Sequence, residues 1–240
     1  MSTSPPSMRE SSATRDIRAR LRSLKHNKWG FIIYRCTYTS DSAWNLLMER
    51  LHEGAREALE ESDSLDLLAM LDLTVRDDQS RFDGATKDEV RKHFLEWTKS
   101  KDAAAEQPDD AVKAFLNDPA GGMNGLTARY QFPIYVDEDA MRSVSEALPP
   151  WRWKDGYVVM IHSSWEMLDP ETFNYEEEGL VRGEDDPSDE GEESIEGCKL
   201  EDVGWMKANV SDLVPDKYSL LKDPGNWESW YVRPPGVWHS

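Results

Sequence analysis

The chain has 240 residues, 38% of them hydrophobic and 31% charged, which is enough for one mixed sheet with covering helices but too polar for every segment to pack. Met1–Lys28 holds seven Lys/Arg against two acids, +5, so the rest of the molecule carries −24 of a formal charge of −19. So acidic a body repels phosphate backbones, which argues against nucleic acid as a partner, and no stretch approaches the roughly 18 apolar residues of a membrane span.

Taken from the start, Met1–Ser12 has Pro5, Pro6 and five serines and lacks the apolar residues to pack. Ala13–Lys28 is Arg-rich with a thin apolar face of Ile17, Leu21 and Leu24. Residues 1–28 are therefore expected to be a disordered basic arm. Its alternative, a mitochondrial presequence, is opposed by Glu10 and Asp16. Residues 29–240 are read as a single α+β domain.

Phe31–Tyr38 reads as a buried strand carrying Arg35. Behind Ser40 or Asp41 as N-cap, Trp44, Leu47, Met48, Leu51, Ala55, Ala58 and Leu59 fall at helical spacing. Leu71–Val75 alternates as a second strand. Thr86 with Glu89 forms a capping-box pattern that opens a helix burying Val90, Phe94 and Trp97.

A shorter helix is predicted from Asp109 or Asp110 through Leu116, ended by Pro119-Ala120-Gly121-Gly122, which lacks the Gly-Lys-Ser/Thr of a phosphate loop. Arg129–Val136 alternates as a strand, and Pro133 places it near a sheet edge. Asp137–Leu148 reads as a helix stopped by Pro149-Pro150, and Gly156–Trp165 as a further strand.

Glu176–Glu196 holds eleven acids and one arginine and is expected to be a disordered insertion at about 176–197. Gly204–Val210 returns as a strand, Asp216–Leu221 as a short helix, and Trp227–Trp238 is an aromatic tail. The tail either seals the core or docks a partner through its Trp and Tyr side chains and Arg233. This order predicts a ferredoxin-like (split βαβ) fold, a mixed or antiparallel sheet of four to five strands with helices on one face.

Five histidines occur, none at the spacing of a helical metal pair, and the acidic run lacks the order of a calcium loop, so no metal is expected. No nucleophile elbow, Walker loop or dinucleotide fingerprint is present, and no cofactor is expected. Cys36 and Cys198 lack zinc or redox spacing and fit a reducing compartment.

His162, at the end of a strand beside Ser163 and Ser164, is the candidate catalytic residue, a general base toward a small ligand; the plainer reading is a satisfied or rim histidine. Tyr34, Arg35, Arg129 and Tyr130 are candidate binding residues. An arginine among aromatics can anchor a carboxylate or enolate, or form a structural ion pair. Alternation points Tyr34, Cys36 and Tyr38 one way and Ile33, Arg35 and Thr37 the other.

Lys25-His26-Asn27-Lys28-Trp29-Gly30-Phe31-Ile32-Ile33-Tyr34-Arg35-Cys36-Thr37-Tyr38, followed by Ser40-Asp41-Ser42-Ala43-Trp44, resembles the opening of a family of filamentous-fungal proteins without an established activity. The likeness extends to the Tyr157–Trp165 strand and the Trp205 region. It implies lineage and a cytosolic setting and carries no catalytic residue over.

The leading expectation is a non-catalytic interaction or small-ligand-binding protein, cytoplasmic, with nuclear or mitochondrial settings as alternatives. Its partner is a protein or a small molecule. The competing one is a cofactor-independent enzyme of dimeric α/β-barrel type, a homodimer acting on a small aromatic or polyketide-like metabolite. A third uses the basic arm on nucleic acid or membrane.

Overall fold

The computed structural model of the chain describes residues 10–108, 123, 127–147, 150–169, 171, 173–179, 181, 186–223 and 225–240. The helix predicted from Asp109 or Asp110 and the loop at Pro119–Gly122 lie outside them. Six strands form one mixed sheet: β1 Ile32–Arg35, β2 Thr74–Arg76, β3 Ile134–Val136, β4 Tyr157–Ile161, β5 Trp205–Asn209 and β6 Val237–Trp238, in the order β2-β1-β3-β4-β5-β6.

The α+β class stands, but the arrangement differs from the ferredoxin-like one, whose neighbouring strands are all antiparallel. Here β1 lies between β2 and β3 and is parallel to both, β3-β4 and β4-β5 are antiparallel, and β5-β6 is parallel. The β1 to β2 link contains α2 (Asp41–Glu61), a crossover long enough to return the chain to the same end of the sheet. The order of elements along the sequence does not specify which strands become neighbours.

Alternation along β1 explains why both sheet faces are covered. Phe31 and Ile33 enter one core with Ile17 and Leu21 of α1 (Ser12–Leu24) and with Trp44, Leu47 and Leu51 of α2. Ile32, Tyr34 and Cys36 enter a second core on the opposite face. There they meet Phe82 of α3 (Gln79–Phe82), Val90, Phe94 and Trp97 of α4 (Lys87–Thr98) and Ala103 of α5 (Lys101–Ala105). The expectation of helices on one face is thus corrected: a strand apolar on both sides needs a partner on each.

Helix ends follow their local chemistry. The Ser40 hydroxyl accepts from the Ala43 amide at 3.2 Å, and the Thr86–Glu89 capping box is complete. Asp137 caps α6 (Glu138–Ser145) by accepting from the Ala140 amide at 2.9 Å. Among the described residues no helix is long and apolar enough to cross a membrane.

Residues 10–28 correct the reading of a disordered arm. Ser11 caps α1, and Ala13, Thr14, Ile17 and Leu21 are buried. The helix lies against Leu213–Lys217, an irregular helical turn, and α8 (Tyr218–Leu220). Of its basic side chains, Arg18 pairs with Asp66 and Arg20 with Asp223 at 3.1 Å, and Lys28 beyond the helix pairs with Asp72 at 2.9 Å. Three buried apolar side chains, Ala13, Ile17 and Leu21, are supplemented by this charge complementarity.

The acidic insertion differs in the same way over its described part. Tyr175–Glu178 forms α7, and residues 186–197 are held by Lys199 on Asp189, Lys87 on Glu196 and the Arg233 guanidinium on the Glu193 carbonyl at 2.8 Å. A few cations at fixed positions are enough to pin the run. The aromatic tail folds back, with Trp227 and Trp238 buried, through α9 (Asn226–Trp230) and β6.

Candidate functional site

Tyr34 and Arg35 lie on opposite sheet faces, as alternation predicts, and so do not share a site. The fully buried Tyr34 hydroxyl is 2.7 Å from His93 Nδ1, and burial pushes its phenol pKa up. Arg35 is buried under Tyr38 and Trp44, its guanidinium carbon 4.3 and 5.1 Å from their ring centroids. It donates to the Thr37 carbonyl at 3.1 Å and pairs with Asp41.

Arg129 has no exposed surface and is enclosed by acceptors: Glu106 Oε2 at 3.0 Å, the Asp72 carbonyl at 2.7 Å and Thr74 Oγ1 at 2.8 Å. The adjacent Tyr130 accepts from Gln107 Nε2 at 2.9 Å and stacks on Trp97 at 5.8 Å. These four candidates are each engaged by internal partners, and together they join strands to helices.

His162 is half-buried, its ring 5.5 Å from that of Phe132 and 5.0 Å from that of Trp227. Its Nδ1 has no hydrogen-bond partner among the described residues. Burial, assisted by the charge of Arg91, lowers its pKa to about 4, so the ring is neutral at neutral pH.

Next to His162 the acidic loop and the aromatic tail meet. A cleft of about 430 Å³ lies between the end of β4, the start of β5 and α9, and its walls include Trp165, Leu168, Glu201, Asp202, Glu228 and Tyr231. Trp165 is set by Gly204, whose φ of +75° favours glycine and where a Cβ would come within 2.4 Å of the indole. The indole N–H donates to the Asp202 carbonyl at 3.1 Å, and Arg91 lies 5.0 Å from the ring. Arg91 also donates to the carbonyls of His162 at 3.2 Å and Gly204 at 3.1 Å, locking the two strand ends together.

Asp202 and Tyr231 are fixed equally well. Asp202 accepts from the Gly204 amide at 2.7 Å and from Trp227 Nε1 at 2.8 Å. Burial nevertheless raises its pKa, outweighing those donors. Tyr231 accepts from the Val203 amide at 3.1 Å, and burial pushes its phenol up to about 12.

The lining carries Glu166, Glu190, Glu201, Glu228 and Asp202 and, among the described residues, no lysine or arginine. Leu168 of the lining, 38% exposed, gives the cleft an apolar edge, and the exposed Met167 follows Glu166 of the lining in sequence. A preformed wall of aromatics with one-signed charge and an apolar edge attracts a cation that also has apolar surface to bury. Among the described residues no group of three or more His, Cys, Asp or Glu is placed to hold a metal ion.

Composition flags the acidic run and the aromatic tail separately, but their meeting depends on the β4-β5 pairing and on Gly204, for which sequence gives no signal. Comparison with protein-family models, with curated proteins and with solved structures finds no match for this chain.

Proposed function

We propose that this is a non-catalytic binding protein whose acidic, aromatic-walled cleft receives a basic segment of a protein partner, with apolar residues beside its Lys or Arg. The observation that carries the reading is the composition of the cleft: five carboxylates and two aromatic walls around about 430 Å³, with no cation in the lining among the described residues. Long-range attraction would steer a basic segment in, and the Leu168 edge would add apolar contact. A cytoplasmic setting belongs to the same proposal, supported by the free, buried Cys36 and Cys198.

Two observations weigh against the other readings. A dimeric α/β-barrel enzyme encloses its substrate against an open sheet face, whereas here one face is covered by α1, α2 and α6 and the other by α3, α4 and α5. A basic arm used on nucleic acid or membrane would need free charges, and Arg18, Arg20 and Lys28 are paired within the molecule.

The test is fluorescence anisotropy with labelled peptides that alternate Lys or Arg with Leu, set against sequence-scrambled and acidic controls. Binding should weaken with added salt and fall about tenfold in Glu201→Gln/Glu228→Gln. Equal affinity for the double variant, or for an acidic peptide, excludes the cleft as the docking site.

A further inference from the structure

A second cavity, of about 570 Å³ and with no lining residue in common with the first, lies between the start of α1, the chain from Asp216 to Lys222, and α9. One feature of its wall has no structural explanation. Asp216 is half-buried and takes part in no hydrogen bond or ion pair among the described residues. The cation beside it in sequence, Lys217, is fully buried and turned to Asp212, and Asp212 spends its second oxygen on the amide and hydroxyl of Ser240. Burial and the nearby Asp212 raise the Asp216 pKa. The Lys217 ammonium, held by Asp212, offsets this only in part, and a partly desolvated carboxylate is costly unless a ligand supplies a counter-ion.

The other walls specify what kind of ligand. Lys222 also lines the cavity, but its ammonium is held at 2.6 Å by Asp16, a second carboxylate of the wall. Asn226 donates its side-chain amide nitrogen to the Leu220 carbonyl at 2.8 Å, which leaves the amide oxygen as an acceptor. Ser219 and Ser229 add hydroxyls that can accept. Trp230, 38% exposed and stacked on Trp238 at 6.1 Å, adds an aromatic wall. An anion, several neutral acceptors and an indole together match a positively charged N–H donor. The volume suits a small molecule rather than a protein segment.

We propose that this cavity binds a small organic ammonium ion, with Asp216 as its counter-ion. The site is separate from the acidic cleft and does not depend on the function proposed for it.

The experiment is titration of the full chain with ethanolamine, and in parallel with ethylene glycol, its neutral counterpart of the same size, by calorimetry and backbone-amide NMR. Ethanolamine should shift the amides of Asp216, Asn226 and Ser229 and bind at least about tenfold more tightly than the glycol. Asp216→Asn should lose that preference. Ser229→Leu, which fills the cavity without touching the carboxylate, should lose binding altogether. Glu60→Gln, which removes the same charge from an exposed position on α2, should change nothing. The inference is overturned if the glycol binds equally well, if Glu60→Gln weakens binding as much as Asp216→Asn does, or if neither probe moves those amides.

Discussion

The indole of Trp227 donates to Asp202 Oδ2 at 2.8 Å while its ring stacks on Phe132, 5.4 Å away and tilted by only 10°. One side chain of the aromatic tail thus holds both the rim of the acidic cleft and the core beneath the sheet. Trp227 is almost wholly buried, so neither attachment is exchanged for water.

Trp227→Phe keeps the stacking and deletes the donor. The half-buried Asp202 then loses one of its two side-chain hydrogen bonds, at a cost of about 1–3 kcal/mol. Urea denaturation is expected to show that loss with an unchanged slope. A variant as stable as the parent means that Trp227 holds the tail by apolar contact alone.

Gly204→Ala puts a methyl group where the Trp165 indole lies, at a backbone φ of +75°. Strain and displacement of the ring should cost about 1–3 kcal/mol and also remove one wall of the cleft. Thermal unfolding reports the first effect and peptide anisotropy the second. If stability falls while peptide affinity is retained, the Trp165 wall plays no part in docking.

Arg129→Met leaves Glu106 without its arginine and removes the donors to Asp72 and Thr74. Breaking a buried ion pair from one side costs about 3–5 kcal/mol. A loss below 1 kcal/mol in chemical denaturation, by contrast, would reveal that water or the neighbouring Lys28 takes over the arginine's place.

Burial lowers the pKa of both His26 and His162 to about 4, beneath the ordinary value of 6.5. The folded chain keeps these rings neutral where the unfolded chain protonates them. Their contribution to stability is complete above about pH 6.5 and is lost as pH falls toward about 4, a few kcal/mol for the pair, with the share of half-exposed His162 discounted. His26→Gln/His162→Gln should therefore flatten the dependence of the urea midpoint on pH across this window. An unchanged slope would show that carboxylates alone set the acid limit.

Ile17→Ala should cost about 2–4 kcal/mol, since Ile17 is 3% exposed within the main core. Amide exchange along α1 should speed up in the same variant. Native-like stability would restore the view of residues 10–28 as an unattached arm.

Much of the fold was legible because it rests on local signals. The helix from Ser40 shows a repeat of 3.6 residues, the Thr86–Glu89 box marks its own helix start, and Tyr157–Ile161 is continuously apolar between turns. What escaped depends on distant residues. α1 has too few apolar side chains to announce itself until the acids that meet its arginines are known, and β6 is two residues long and is defined only by its pairing with Lys207 and Ala208. The candidate site followed the same division. Arg35 and Arg129 stand out by charge within apolar surroundings, yet that setting reflects internal pairing, whereas the cleft was hidden because its walls come from Trp165, Asp202 and Tyr231.

The docking of α1 also bears on the order of events during synthesis. Arg20 donates to the carbonyl of Lys222, 202 residues further along the chain. This part of the berth of α1 therefore exists only once residue 222 has been made. Until then its arginines and its Ile17–Leu21 stripe lack that partner and stay open to solvent and to any chaperone that reads basic, apolar segments.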